Sequence, residues 1–176
     1  VWVGTGEANI FRSSQSGAGI YKSTDGGKTW SHMGLAGTNT IARIVVHPKN
    51  SDVVYVAASG HEWTMNPERG VFKTVDGGKN WEKVLYVNEE TGAIDLRMDP
   101  RDNETLYAAT WQRMRKKWND PRNEPTYSGS GIFKTTDGGK TWKPMNNGLP
   151  EAKFRGRIGI DICLTKPNVL YAFIDN

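Results

Sequence analysis

The chain has 176 residues, a net charge of +4 and one cysteine, so it can form a domain with a sizeable core but no internal disulfide. The apolar fraction is only 36%, yet seven tryptophans and twenty glycines indicate a turn-rich β fold rather than disorder. No apolar run approaches the roughly 18 residues of a membrane-spanning helix, so no membrane span is predicted.

Predicted strands fill the chain from its first residues. Each is short, alternating or fully apolar, rich in β-branched and aromatic residues, and bounded by Gly, Pro, Asn or Asp. In chain order they are VWVGTGE (1–7), GIYKS (19–23), IARIVV (41–46), VVYVAAS (53–59), GVFKT (70–74), WEKVLYV (81–87), GAIDLRMDP (92–100), TLYAATW (105–111), GIFKT (131–135), GRIGIDICL (156–164) and VLYAFID (169–175). No segment keeps a helical period.

An octet recurs three times, as STDGGKTW (23–30), TVDGGKNW (74–81) and TTDGGKTW (135–142). The spacing between its copies, with strands in between, is typical of propeller blades. Naming the strands of one blade A to D, with the octet between C and D, the chain reads B-C-D, A-B-C-D, A-B-C-D, A-B. We predict an all-β partial propeller of four-stranded antiparallel blades, just over three of them.

The predicted propeller spans residues 1–176, with blade segments at roughly 1–38, 39–90, 91–150 and 151–176. A closed propeller has at least four blades, and an open arc leaves strand edges exposed. We therefore expect the remainder of a larger propeller chain, or a neighbouring subunit, to complete the ring.

The octet has the composition of a hairpin rather than of a catalytic or metal loop. Gly-Gly suits positive-φ turn positions, the Asp accepts bonds from its own turn, and the Trp is expected to pack between blades. One carboxylate followed by two glycines does not make a calcium loop, and no helix follows to make a phosphate loop. The structural positions are Ser23, Asp25, Gly27, Trp30, Thr74, Asp76, Gly78, Trp81, Thr135, Asp137, Gly139 and Trp142.

All three octets match the Asp-box (BNR) motif, S/T-x-D-x-G-x-T-W, with Asn80 replacing Thr in the second copy. The phrases GIYKSTDGGKTW, RIVVHPKNSDVVYVAA and GAIDLRMDP resemble the bacterial sortilin-type propeller family. Its members are large, usually exported and often labelled glycosyl hydrolases, so the resemblance implies an extracellular or periplasmic location. Asp boxes also occur in sialidases and xyloglucan-cleaving propellers, so the motif indicates the fold and not the activity.

Ligand sites are expected on the face opposite the octets, where the long B–C loops lie at 6–18, 60–70 and 111–131. Their candidate binding residues are Arg12, His61, Trp63, Arg69, Trp111, Arg113, Arg115, Trp118 and Tyr127. The basic cluster around Arg113 and Arg115 is expected to be a solvated loop, since nucleic-acid binders concentrate more charge on one face.

Three carboxylates are candidate catalytic residues, namely Glu7, Glu62 and Asp95. Paired carboxylates facing one another across a pocket would suit glycoside hydrolysis, but we favour the alternative in which they form ion pairs with Arg12, Arg69 or Arg97. The three histidines are scattered, so neither a metal nor another cofactor is predicted. We interpret the chain as an exported binding or scaffold propeller for a protein, peptide or glycan. The alternatives are a glycoside hydrolase and a purely structural sector of a larger propeller protein.

Overall fold

The structure, a computed structural model, describes residues 1–9, 14–113 and 129–175. In these ranges the chain forms thirteen strands and two short 3-10 turns, at Ala36–Thr38 and Ala152–Phe154. The strands are β1 (Trp2–Gly4), β2 (Ile20–Lys22), β3 (Ser31–His32), β4 (Ile41–Val46), β5 (Val54–Ala58), β6 (Gly70–Thr74), β7 (Glu82–Leu85), β8 (Thr91–Met98), β9 (Leu106–Gln112), β10 (Gly131–Thr135), β11 (Lys143–Pro144), β12 (Ile158–Ile162) and β13 (Leu170–Ile174). The predicted all-β class is confirmed.

The strands form four antiparallel sheets in which sequence neighbours are also spatial neighbours. We call them blade 1 (β1–β3), blade 2 (β4–β7), blade 3 (β8–β11) and blade 4 (β12–β13). The register repeats from blade to blade, because Trp2 lies opposite Lys22, Tyr55 opposite Lys73 and Tyr107 opposite Lys134. The same sequence pattern therefore gives the same strand pairing three times.

The core lies between the blades. Three apolar clusters fill the junctions between blades 1 and 2, 2 and 3, and 3 and 4. Strand β5 is buried along its whole length, which explains its continuous apolar sequence VYVAA. Burying one such valine stabilises the fold by about 1.5–3 kcal/mol relative to exposing it.

Each Asp box is a hairpin held together by its own Asp. In the second box, Asp76 Oδ1 accepts from the Thr74 hydroxyl at 2.8 Å and from the Asn80 amide at 3.0 Å, while its Oδ2 accepts from Asn80 Nδ2 at 2.7 Å. Gly77 and Gly78 have φ of 73° and 95°, in the region that favours glycine. The Asn80 amides and the Thr74 hydroxyl hold the pKa of Asp76 well below its usual range.

The tryptophans that end the boxes have different surroundings. Trp81 donates to the Met33 carbonyl at 2.7 Å and meets Trp2 edge-on, while Trp142 packs against the cluster between blades 2 and 3. Trp30 is 42% exposed and donates to the Gly27 carbonyl of its own turn. The expected packing between blades does not hold for Trp30, because in the described structure no blade packs against blade 1 on its far side.

A second connection between blades, which we call the lysine clip, was not foreseen from the sequence. Lys73 Nζ donates to the Gly138 carbonyl in the third box at 2.7 Å, and the Tyr55 hydroxyl donates to the same oxygen at 3.0 Å. The Lys73 ammonium lies 5.2 Å from the centre of the Tyr55 ring. Burial, followed by the charge of Glu104, raises the pKa of Tyr55 to about 12.

The clip recurs one blade earlier. There Lys22 Nζ donates to the Gly77 carbonyl in the second box at 3.2 Å and lies 5.0 Å from the centre of the Trp2 ring. In each clip a lysine of strand C lies close to the aromatic ring opposite it on strand B and donates to the first glycine carbonyl of the next blade's box.

We predict that replacing Asp76 with Ala lowers the melting temperature by several degrees, because the turn amides and hydroxyl lose their common acceptor. Since the folded-state pKa of Asp76 is depressed, its contribution is full above the ordinary Asp pKa of about 4 and is lost as the pH falls below it. Thermal melts of both proteins at several pH values measure this difference. Lys79→Ala, in the same turn, is the matched control, and equal melting of Asp76→Ala and wild type at pH 7 would contradict the prediction.

Candidate loop-face binding site

The Asp boxes and the B–C loops lie on opposite faces. The Gly77 amide donates to the Asp52 carbonyl and the Gly138 amide to the Glu104 carbonyl, both at 2.9 Å, so each box contacts the A–B turn of its own blade. The B–C loops and D–A connections leave the other ends of the strands. We call the region where they meet between blades 2 and 3 the loop-face site: residues 60–69, 88–90 and 111–113.

Arg69 is the centre of this site and is completely buried. Its Nη1 donates to the carbonyls of Ser59 at 2.9 Å, Arg113 at 3.3 Å and Glu90 at 3.4 Å. Its Nη2 donates to the carbonyls of His61 and Thr64. One side chain thus holds the ends of two B–C loops and one D–A connection.

The charge of Arg69 is balanced by backbone dipoles. Burial lowers the pKa of Arg69 to about 10, and the nearby charge of Glu90 acts in the opposite direction. The guanidinium therefore stays protonated at neutral pH while five carbonyl oxygens accept its N–H groups. The structure gives Arg69, a sequence-predicted binding residue, a supporting position beneath the surface.

Asn66 braces the same loop from its other side. Its Oδ1 accepts from the His61 amide at 2.9 Å, its Nδ2 donates to the Gly37 carbonyl at 3.3 Å, and its own amide donates to the Glu89 carbonyl at 3.2 Å. A Cβ on Gly60 would lie 2.4 Å from the Arg69 Cγ, so glycine is required there. The sequence analysis missed Asn66, although Asn followed by Pro inside a loop is a turn signal.

Glu62 lies in a buried ion pair. Its Oε2 is 3.6 Å from Arg113 Nη2, and both side chains are more than nine-tenths buried. The Arg113 guanidinium lies 5.2 Å from the centre of the half-buried Trp111 ring. Breaking a buried ion pair leaves an uncompensated charge. Glu62 therefore helps to hold its loop against Arg113.

The tip of the second B–C loop points into solvent. Trp63 is 54% exposed and Met65 is 55% exposed, whereas His61 is half-buried and Glu62 is buried. Two large apolar side chains thus stand at the surface of a loop that Arg69 and Asn66 fix from below. Such a fixed apolar tip suits the capture of a partner.

The other two candidate carboxylates lie elsewhere. Asp95, on the inner strand β8, accepts from the guanidiniums of Arg43 and Arg97 and from the amides of Leu96 and Ile160. These contacts connect blades 2, 3 and 4. Asp95 is thus paired with Arg97, which is the alternative to a catalytic role that the sequence analysis gave for this residue.

Glu7 is exposed, and its Oε2 accepts from the Gln15 amide at 3.3 Å. Among the contacts of the described residues, none brings Glu7, Glu62 and Asp95 together.

Arg12, Arg115, Trp118 and Tyr127 lie outside the described residues. Within the described ranges, no three His, Cys, Asp or Glu side chains gather as metal ligands, and no helix is long and apolar enough to cross a membrane.

Solved structures share the propeller fold. The crystal structure of an ancestral GH74 enzyme matches with a TM-score of 0.61 at 19% identity, covering 88% of this chain and 19% of that one. The GH74 enzyme of Niastella koreensis matches with a TM-score of 0.59 at 20% identity, covering 96% of this chain and 22% of that one. At these identities the likeness shows the fold alone, and it confirms the predicted partial propeller.

Two curated relatives are glycoside hydrolases by name. Xyloglucanase Xgh74A of Acetivibrio thermocellus is 25% identical over 115 residues, which cover 61% of this chain. A sialidase of Bacteroides fragilis is 28% identical over 159 residues, which cover 73% of this chain. The aligned regions amount to 12% and 28% of these relatives, so the chain corresponds to a minor part of each.

The family comparison agrees with the Asp boxes and the blade repeat. The profile of the Sortilin-Vps10 family, described as "Sortilin, neurotensin receptor 3", matches residues 18–170, which is well over half of the chain. The chain therefore belongs to the Sortilin-Vps10 family.

Proposed function

We propose that this chain is part of an exported binding propeller whose loop face captures a protein, peptide or glycan partner. The observation that carries the proposal is the exposed pair Trp63 and Met65 on a loop with a fixed base. The pair favours a peptide segment of a protein partner. Trp is enriched among residues that dominate binding energy, and Met adapts its shape to varied apolar partners.

The buried framework supports binding in a second way. A loop that is ordered before the partner arrives loses less conformational freedom on association, which leaves more of the contact energy as affinity. The five carbonyls bound by Arg69 supply that order.

A glycoside hydrolase is the second candidate, because one of the two curated relatives is named a xyloglucanase and the other a sialidase. In that reading Glu62 acts with Glu7 or Asp95 as the acid and base, and Trp63 stacks on a sugar ring. The contacts of Glu62 and Asp95 with arginines favour binding over catalysis, since both carboxylates are already engaged.

We predict that Arg69→Met loosens the loop-face site more than the rest of the propeller, because five carbonyls lose their donor. Hydrogen exchange followed by mass spectrometry should show faster exchange in residues 60–69 and 88–90. Arg69→Lys, which keeps the charge but cannot reach all five oxygens, should give an intermediate result. Uniform acceleration across all blades, or none at residues 60–69, would contradict a local role.

Partner capture should depend on the loop tip. We expect replacement of Trp63 and Met65 by Ser to reduce binding to a displayed random-peptide library by at least about tenfold, in line with typical effects at dominant contact residues. Val75→Ser, an exposed apolar residue on the Asp-box face, is the matched control. Capture that survives the loop-tip change in a protein with an unaltered melting temperature would reject the peptide site.

Hydrolysis is tested on a panel of plant and bacterial polysaccharides with the polypeptide of the complete reading frame. Under the binding proposal no reducing sugar is released, and xyloglucan is at most retained on the protein in affinity gels. If sugar is released, and Glu62→Gln and Asp95→Asn each abolish the release, the chain is catalytic and the binding proposal is wrong. Release that survives both substitutions would reject these carboxylates as the acid and base.

A further inference from the structure

One peptide bond of the chain joins an asparagine to a glycine, at Asn147–Gly148. In such a pair the backbone nitrogen of the glycine can attack the side-chain carbonyl carbon of the asparagine, because glycine has no Cβ to hinder the approach. A bond forms between that nitrogen and Cγ, the bond from Cγ to the side-chain nitrogen breaks, and ammonia leaves. Water then opens the cyclic imide to aspartate or to isoaspartate, in which the main chain runs through Cγ.

The structure leaves both reacting groups of this pair accessible. Asn147 and Gly148 are exposed, and they are the central residues of a turn in which the Leu149 amide donates to the Asn146 carbonyl at 3.1 Å. Gly148 has a φ of 81°, and no atom lies within 4 Å of the place where a Cβ would stand. Among the described residues, none makes a hydrogen bond with the Asn147 side chain or with the Gly148 amide. The attacking nitrogen and the attacked carbon are therefore able to approach each other.

The turn is anchored on both sides. Asn146 Oδ1 accepts from the Ile132 amide at 3.0 Å, and the Met145 amide donates to the Ile132 carbonyl at 2.7 Å. On the other side, Leu149 packs against the apolar cluster between blades 3 and 4. The turn belongs to the D–A connection that leads from strand β11 to blade 4. A change in the length of the main chain at Asn147 must therefore displace one of these anchors.

The Asp-Gly pairs of the second and third Asp boxes, Asp76–Gly77 and Asp137–Gly138, are protected from the equivalent cyclisation. That reaction expels a carboxyl oxygen as water and needs a protonated carboxyl group, whereas hydrogen bonds within each box hold the pKa of both carboxyls well below their usual range. The attacking nitrogens are occupied as well, because both glycine amides donate to carbonyls of the A–B turns at 2.9 Å. The fold thus distinguishes one reactive pair from two protected pairs.

We propose that Asn147 is a site of spontaneous deamidation, through which the connection between blades 3 and 4 is modified on the loop face as the protein ages. The product adds one negative charge to a chain whose formal net charge is +4. Its isoaspartate form also lengthens the main chain by one carbon between the anchors at Asn146 and Leu149. The inference rests on the turn and its chemistry, and it is independent of what the loop face binds.

The test is peptide mapping by mass spectrometry after incubation of the purified protein at mildly alkaline pH, in buffer and in denaturant. In buffer, deamidation at Asn147 should be at least about tenfold faster than at Asn146, whose side chain is held and which no glycine follows. A protein isoaspartate methyltransferase should label the peptide that contains Asn147 and not the peptides of Asp76 and Asp137. In denaturant, where the hydrogen bonds of the boxes are lost, it should label all three.

Two variants at the same position separate the reaction from its structural effect. Asn147→Gln should abolish labelling of this peptide, because the longer side chain places its carbonyl carbon less favourably for attack by the Gly148 nitrogen. Freshly prepared Asn147→Asp has the charge of the product without the extra main-chain carbon. Hydrogen exchange in residues 145–149 should therefore be faster in the aged wild type than in this variant.

Three results would overturn the proposal. The first is an Asn147 that deamidates in denaturant but stays intact in buffer, which would mean that the turn shields it. The second is deamidation of Asn146 and Asn147 at equal rates in buffer. The third is equal hydrogen exchange in residues 145–149 of the aged wild type and of fresh Asn147→Asp, which would mean that the connection absorbs the extra carbon without loosening.

Discussion

The carbonyl group of the first glycine in an Asp box is the point on which the junction between blades depends. At Gly138 it accepts from Lys73 and from the buried Tyr55 hydroxyl, while the amide of the same residue donates to Glu104 in the A–B turn. Gly138 therefore ties its own blade together through its amide and connects it to the neighbouring blade through its carbonyl. The Asp of the box acts one step earlier, because its carboxylate fixes the turn that presents the carbonyl.

Because the Asp boxes fix the junctions between blades on one face, the loops of the opposite face are available for function. The loops there can differ in length and chemistry without disturbing the blade register. Arg69 connects adjoining loops on this face, as the boxes connect blades on the other face, because its buried guanidinium donates hydrogen bonds to carbonyls of those loops. Above it, the loop tip presents Trp63 and Met65 to solvent. The binding surface and its support are thus different residues of the same loop.

Patterns of short range could be predicted from the sequence, and contacts between distant residues could not. The strand β6 and its octet were visible because alternation, glycines and a terminal Trp are local signals. The partner of Lys73 lies 65 residues away, and its role appears only when two blades meet. Likewise Asp95 looked like a candidate acid, but its oxygens meet Arg43 and the amide of Ile160 from neighbouring blades. For Trp30 the repeat predicted burial, yet burial needs a neighbour that the pattern alone does not supply.

The most direct measurement is a double-mutant cycle between Lys73 and Tyr55, with free energies of unfolding from chemical denaturation. With either Lys73→Met or Tyr55→Phe alone, the Gly138 carbonyl keeps one donor. With both, a buried carbonyl loses both of these donors, which costs about 1–3 kcal/mol. The account predicts that the double variant loses at least about 1 kcal/mol more than the sum of the single losses. Losses that add to within about 0.3 kcal/mol would contradict a shared role at this junction.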